Sequence, residues 1–346
     1  SLRRDLQPVA DPAVACACAM LGKDNPLAAA RAVVAGYHAV HPLDETECEA
    51  LFPLIILRLL MSVAICARQA SLRPDNAYLR ISNDAAWILL DRLRTIPLRF
   101  AEYTFRNACG FPAHPAAERI RDWLRLTEAS GGFAPVLGFP LVSEPKIVFD
   151  LSVGTSLFAN PEIVDDTAAW NRMIFNELAR KGVKVGVGRA DEARIVYTSE
   201  RFRPSGRPTA EGRTVHLGID LFAVAGTPVF APSDGFVKFA RDNDQRLDYG
   251  PTIILEHQAD ALGPAGRPLV FYTLYGHLSR ESLAGMQPGR MIKKGERIGA
   301  IGPLPENGDW PPHLHFQIIL DLFDECGNYP GVCRSSEREI WRVLCP

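Results

Sequence analysis

Three short stretches of this chain hold residues whose types and spacing could do chemistry. They are HLGID at residues 216–220, TLYGHL, which carries His277, and HLHF, which carries His313 and His315. Side chains at i and i+4 of an extended chain point the same way, so His216 and Asp220 share a face, about 13 Å apart along an ideal strand. Gly218 argues against a helix there and permits the bend or bulge that would bring both to one ion. His313 and His315, alternate residues on a strand, also share a face. Catalytic zinc takes three N, O or S ligands from the protein and keeps a position for water. His216, Asp220 and one histidine of the 313/315 pair would make that set. Two histidines would remain for proton transfer and for stabilising a tetrahedral intermediate. Bound zinc lowers the pKa of its water from 15.7 to about 7, which is what amide cleavage near neutral pH requires. His38, His41, His114 and His257 lie outside these stretches and are assigned structural or surface roles.

Residues 1–130 carry long apolar periodicities, each opening on an acidic residue or Asn, in DPAVACACAMLG, DNPLAAARAVVAGYHAV and DETECEALFPLIILRLLMSVAICARQ. Asp44 followed by Glu47 forms a capping-box pattern. ISNDAAWILLDRL and PAAERIRDWLRLT add two further helices. From about residue 145 the period shortens. KIVFDLSV, ARIVYTS, TPVFAPSDGFVKFA, PTIILEH, LVFYTLYGHL and HLHFQIIL are β-branched and aromatic, with Gly, Pro, Asn and Asp between them. One helix, DDTAAWNRMIFNELARKG, interrupts them. The expectation is an α + β chain: an all-helical domain at 1–130, a linker and mixed α/β lead-in at 131–200, and a mostly antiparallel β domain at 201–346.

Composition excludes several function classes. The 346 residues carry a net charge of −2 and no run of one sign, so neither nucleic acid nor an anionic membrane is an expected partner. The most apolar run, residues 51–67, contains Pro53 and Arg58, and is expected to be a buried helix, because a membrane span needs roughly 20 apolar residues free of a central charge. The eight cysteines include no Cys-x-x-Cys pair, and although Cys326 and Cys333 could bridge, a reduced, cytoplasmic chain is expected. No basic segment followed by an apolar core opens the chain.

HLGID, YGHL and HLHF, in this order, resemble the lysostaphin-type zinc metallopeptidases, the family of glycyl-glycine and peptidoglycan endopeptidases. The resemblance runs from about residue 195 to 322. It implies Zn2+ as cofactor, His216, Asp220 and His315 as metal ligands, His313 as general base, and His277 as the residue that stabilises the transition state. It implies cleavage of peptide or small amide bonds by zinc-activated water. AGTPVFAPSDGFV and KKGERIGAIG look like the half-motifs of a duplicated barrel-sandwich hybrid, a pattern shared with biotinyl and lipoyl carriers. A carrier needs a modifiable lysine at a hairpin tip; Lys293 and Lys294 precede Gly295, where a plain turn role is expected. Gln317 stands where an acidic residue is common in the family, and Pro311 and Pro312 replace small residues before the HLH pair.

The helical half, on VVAGYHAVHPLDETECEALFPLIILRLLMSVAI and RPDNAYL, resembles the C-terminal helical part of aminoglycoside-phosphotransferase-like proteins. No His-x-Asp or Asp-Phe-Gly stretch accompanies it. The resemblance implies a piece of a longer polypeptide in which a kinase-like domain precedes the peptidase-like one; such fusions resemble proteins that also carry a class III aminotransferase. The alternative function is a non-catalytic binding or scaffold module of such an assembly.

Overall fold

Helix-period apolar stripes account for the first part of the chain. The computed structural model describes residues 7–73, 81–157, 166–197, 200–203, 210–262, 266 and 268–346. It divides into two compact units, one ending at Pro115 and one beginning at Ala116. The first unit holds α1 (Gln7–Ala19), α2 (Pro26–His38), α3 (Glu45–Leu72), α4 (Ile81–Leu93) and α5 (Leu98–Ala108). At α3 the Asp44 side chain accepts from Glu47 N, and Glu47 Oε2 accepts from Asp44 N, closing the capping box. Cys48, Leu51, Phe52, Ile55, Leu59 and Val63 recur every three or four residues and form the buried stripe of α3.

The expectation of a wholly buried helix at 51–67 needs correction. Leu57, Leu60, Met61 and Ile65 lie on the opposite face of α3 and are exposed. By length and composition alone, α3 is long and apolar enough to cross a membrane. The apolar run is thus continuous around the helix while its packing is one-sided. The helix α5 went unread in the sequence because its polar residues mask a narrow stripe of Phe100, Ala101, Tyr103, Thr104 and Phe105.

The second unit opens with α6 (Ala117–Ala129). Its Ala117 and Ile120 pack with Ala259, Leu269 and Phe271 of the sheet described next, which is why the compact unit starts well before the sequence turns β-rich. The strands are β1 (Lys146–Phe149), β2 (Val185–Gly188), β3 (Glu192–Ala193), β4 (Arg213–His216), β5 (Ile219–Phe222), β6 (Pro228–Phe230), β7 (Gly235–Asn243), β8 (Gly250–Leu262), β9 (Pro268–Gly276), β10 (Met291–Ile292), β11 (Arg297–Ala300), β12 (His313–Ile319) and β13 (Val332–Arg334). Helix α7 (Thr167–Lys181) follows β1, and α8 (Arg338–Leu344) ends the chain.

Eight strands form one sheet in the order β1-β2-β5-β12-β9-β8-β7-β10, β6 and β11 form a pair, and β13-β4-β3 form a third sheet. Within the large sheet only β1 and β2 run parallel. Helical and sheet parts follow the α + β expectation, but the barrel-sandwich hybrid is not what forms: among the described residues no barrel closes. The half-motifs do pair with each other, β6 antiparallel to β11 across four intervening strands. They form a two-stranded sheet of their own, and Val229 and Ile298 from it enter the core of the open sheet.

Strand alternation sorts side chains to the two faces of the large sheet. Leu221 of β5, Tyr275 of β9 and Leu314 of β12 enter one apolar core with Ile253, Leu255 and the β6–β11 pair. Phe222 of β5 points the other way, joining Phe149, Trp170, Ile174 and Trp310. That second face therefore also receives Asp220, His313 and His315.

Candidate metal centre

Asp220 and His315 face each other across the antiparallel pairing of β5 with β12. His216 closes β4 in the neighbouring small sheet and returns to them because the chain bends at residues 217–218. The bend leaves no room for a side chain: a Cβ on Gly218 would lie 2.6 Å from His315 Nε2. Three ligand atoms then form a triangle. His216 Nε2 is 3.0 Å from His315 Nδ1 and 3.2 Å from Asp220 Oδ1, and His315 Nδ1 is 3.1 Å from Asp220 Oδ1.

The outward hydrogen bonds decide where the ring protons are. Arg189 O is 3.2 Å from His216 Nδ1, and a carbonyl only accepts, so Nδ1 donates and Nε2 keeps its lone pair. Gln317 donates through Nε2 to Pro330 O, which turns its Oε1 to within 2.9 Å of His315 Nε2. His315 therefore donates from Nε2 and keeps its lone pair on Nδ1. Two imidazole lone pairs and a carboxylate oxygen converge with no proton shared among them, an arrangement a cation relieves. In a tetrahedral zinc site with bonds of about 2.0–2.1 Å, donors stand about 3.3 Å apart. The triangle's edges lie within a few tenths of an ångström of that, so the three residues fit zinc. Gln317 fills, with a neutral acceptor, the supporting role that an acidic residue plays elsewhere.

Burial tunes these groups. Burial first, and the Arg194 charge second, push the His216 pKa down to about 3, so its ring is neutral. Burial would raise the Asp220 carboxyl, but the Arg194 charge paired with it outweighs burial and holds it well below its usual value. Arg194 Nη1 lies 2.5 Å from Asp220 Oδ2, the oxygen turned away from the triangle, and Arg194 Nε lies 3.0 Å from Glu192 Oε2. Its Nη2 donates to Arg189 O, the same carbonyl that receives His216. Arg194 thus ties two of the three ligands to one another, and sequence reasoning missed it: it is the second residue of ARIVYTS, just past the two-residue β3, and makes only an isolated bridge to Ser152.

The remaining two histidines stand beside the triangle. His313 Nδ1 donates to Pro311 O at 2.6 Å, which leaves Nε2 without a proton, 3.6 Å from Asp220 Oδ1. His277 Nδ1 donates to Asn307 O at 2.8 Å. The two rings lie 4.2 Å apart, centroid to centroid. His277 has a φ of 63°, in the left-handed region that a non-glycine residue rarely adopts, and its backbone is fixed by hydrogen bonds to Tyr249 O and from Gly302 N. Burial first, then the neighbouring His313, lowers the His277 pKa well below its ordinary value; burial also lowers that of His313. All five expected residues line one cavity of about 500 Å3, with Trp170, Tyr197, Tyr249, Trp310 and Tyr329 among its walls. Asn307, also missed, carries no catalytic signature; it is fully buried and braces the loop by bonding both Trp310 O and Trp310 N.

This constellation can be compared with known proteins. Residues 214–322 match the sequence model of Peptidase family M23. The M23 segment contains His216, Asp220, His277, His313 and His315, while Arg194 lies upstream of it. An "uncharacterized metalloprotease" of Haemophilus influenzae is 33% identical over 137 residues, 39% of this chain and 25% of that protein. The DD-carboxypeptidase/endopeptidase Mpg of Neisseria meningitidis is 31% identical over 129 residues, 37% of this chain and 26% of that one. The chain thus spans about a quarter of the length of these curated relatives. Among solved structures, the catalytic domain of the antimicrobial peptidase lysostaphin from Staphylococcus simulans is 27% identical, covering 38% of this chain and 81% of that chain at a TM-score of 0.25. M23 metallopeptidases are zinc-dependent, in keeping with the donor set here. The match lies wholly in the second unit and lends no support to a kinase-like reading of the first.

Proposed function

We propose that the second unit is a zinc-dependent hydrolase of peptide or small amide bonds. The observation that carries this is the triangle of His216 Nε2, Asp220 Oδ1 and His315 Nδ1, with edges of 3.0–3.2 Å and every ring proton pointing outward. Zinc held there supplies Lewis acidity, activating water and polarising a carbonyl.

The chain's own groups do the rest. His216, Asp220 and His315 hold the metal, and Arg194 keeps Asp220 ionised and turned toward it. His313, unprotonated at Nε2, takes the proton of the attacking water and returns it to the leaving amine. Pro311 O fixes its tautomer for that exchange. His277 keeps its Nδ1 proton on Asn307 O; as negative charge grows beside it, Nε2 takes a proton from solvent water and then stabilises the oxyanion. The aromatic walls keep bulk water from the reacting atoms. The relatives' printed names support peptidoglycan-type peptides as one substrate class; metabolite amides are the other.

His313→Ala tests the assignment. We expect full zinc occupancy by elemental mass spectrometry with turnover reduced about 10²–10⁴-fold. Comparable turnover in the variant removes the base role. A scaffold reading gains if the purified protein, offered zinc, takes up none and cleaves neither a muropeptide nor a metabolite-amide panel.

A further inference from the structure

The cavity beside the metal centre is lined by four arginines, Arg194, Arg201, Arg213 and Arg241, against three carboxylates, Asp220, Asp248 and Glu325. Arg194 is neutralised by Asp220 and Glu192, and Arg201 by Asp248. Arg213 differs. Among the described residues no carboxylate lies within ion-pair distance of it; its Nη2 donates to the carbonyl of Arg201 at 2.9 Å. Its Cζ stands 6.0 Å from the Phe202 ring centroid, so an aromatic face steadies the guanidinium from one side. Burial first, and the charges of Arg334 and Arg201 second, lower its pKa from the usual value, outweighing the Glu337 carboxylate, which acts on it from beyond ion-pair distance. Holding such a charge without a counter-ion costs free energy, and Arg does not escape by losing its proton.

The backbone aims Arg213 deliberately at the site. Simple alternation would set Arg213 and His216 on opposite faces of β4. A bulge intervenes: Cys333 pairs with Val215 and Arg334 with Arg213, leaving Thr214 as the extra residue. The phase shifts by one, and Arg213 lines the same cavity as His216. A second group in that wall lacks a partner: the buried Tyr249 hydroxyl has no hydrogen-bond partner among the described residues. Its ring lies 5.1 Å from that of His315.

We infer that the cavity binds its substrate through an anionic oxyacid group, a carboxylate or a phosphate, seated on Arg213 about 10 Å along the strand from the metal centre. This rests on reading the site as a hydrolase and narrows its substrates. A guanidinium meets a carboxylate or phosphate with two parallel hydrogen bonds, which fixes orientation as well as adding affinity. The Tyr249 hydroxyl is placed to serve the polar atoms between that group and the scissile bond. An uncharged peptide interior offers Arg213 only carbonyl oxygens, whereas a free chain end or an anionic small amide offers it a counter-charge.

The test is calorimetric titration of the zinc-loaded protein with methylphosphonate and with propionate. We expect binding that weakens about tenfold or more in Arg213→Gln at unchanged zinc content, with Arg213→Lys in between because it keeps the charge and loses the two-pronged geometry. Contact of either anion with the metal is common to all three proteins and cancels in the comparison. Tighter binding of methylphosphonate assigns a phosphate-bearing substrate, and tighter binding of propionate a carboxylate-bearing one. Equal affinity in the parent and Arg213→Gln, or no binding of either anion, overturns the inference. Amide substrates with carboxylate, phosphate or carboxamide end groups then separate the two readings. Arg213-dependent anion binding with no amide cleaved sinks the hydrolase and leaves the anion site. Cleavage at equal kcat/KM for all three end groups sinks the anion site and leaves the hydrolase.

Discussion

The two units bury polar groups very differently. In the helical unit the buried polar or charged side chains among the described residues are Thr104 and Arg106, and both are satisfied locally: Thr104 by Phe100 O, Arg106 by Glu45 and by the carbonyls of Pro112 and Ala113. In the sheet unit the buried set includes four histidines of the cavity together with Asp220, Arg194, Glu192, Asn307 and Gln317, nearly all bonded to one another. Burying an ionisable group is expensive unless it is paired. One unit largely avoids the cost, and the other places most of it at the cavity wall, with His257 buried apart from it. The difference teaches where to look for chemistry, since packing alone would not assemble that set.

The largest expected break of this contrast is His315→Ala. It removes one corner of the triangle and leaves Asp220 and His216 converging on two donors. We expect zinc content to fall below about a tenth of an equivalent and turnover to vanish with it, because catalytic zinc is held by three protein ligands. Full zinc occupancy in this variant would remove His315 from the ligand set. Chelation of the parent should act alike, lowering the unfolding midpoint of the sheet unit while leaving that of the helical unit in place, by about 2.7 kcal/mol if free zinc had stood at 100 times its dissociation constant. A single transition that shifts as a whole would show that the units are not thermodynamically separate.

Arg194→Met comes next. It strips the arginine from Asp220, while Glu192 keeps its ion pair with Arg189, and removing one side of a buried charge pair costs about 3–5 kcal/mol. Zinc affinity should weaken with it, since Asp220 loses the group that turns it inward. Urea melts followed by zinc titration separate the two effects; unchanged stability would mean that Asp220 finds water instead. Gln317→Ala is milder. His315 loses the acceptor that fixes its tautomer, and zinc affinity should drop about 10–100-fold with little change in fold. An unaltered affinity would leave Gln317 as packing only.

The contrast also explains what the sequence could tell. The five residues of the site sit on three stretches whose order and spacing survive as a linear pattern, because β5 and β12 are short, regular strands that alternate faces. The helices were legible from caps and period, as Asp44 with Glu47 shows. Arg194 was not legible: its partner is 26 residues away, and no local rule says that a residue just past a two-residue strand points at Asp220. The bulge that turns Arg213 inward is set by its pairing with β13, more than a hundred residues later, so alternation alone would have placed it on the wrong face. The open sheet was misjudged for a related reason. The half-motifs pair with each other as β6 and β11, but among the described residues they form a separate two-stranded sheet beside the open eight-stranded one.

The smallest effect belongs to the unit without the site. Asp44→Ala removes a cap that satisfies Glu47 N at 2.8 Å and releases Glu47 from Asp44 N. The cost is about 1 kcal/mol, a typical figure for losing an N-cap. Both groups are exposed, so water replaces the lost partners and nothing buried is orphaned. The expected readout is a small drop in the midpoint of the helical unit with zinc content, zinc affinity and hydrolysis all unchanged. Its value lies in the asymmetry. A surface cap and the buried Arg194 contact each amount to a few hydrogen bonds on a coordinate list, yet one should move stability slightly and the other should move both stability and metal. If Asp44→Ala also lowered zinc affinity, the two units would be coupled, and the division between a plainly packed half and a chemically loaded half would have to be abandoned.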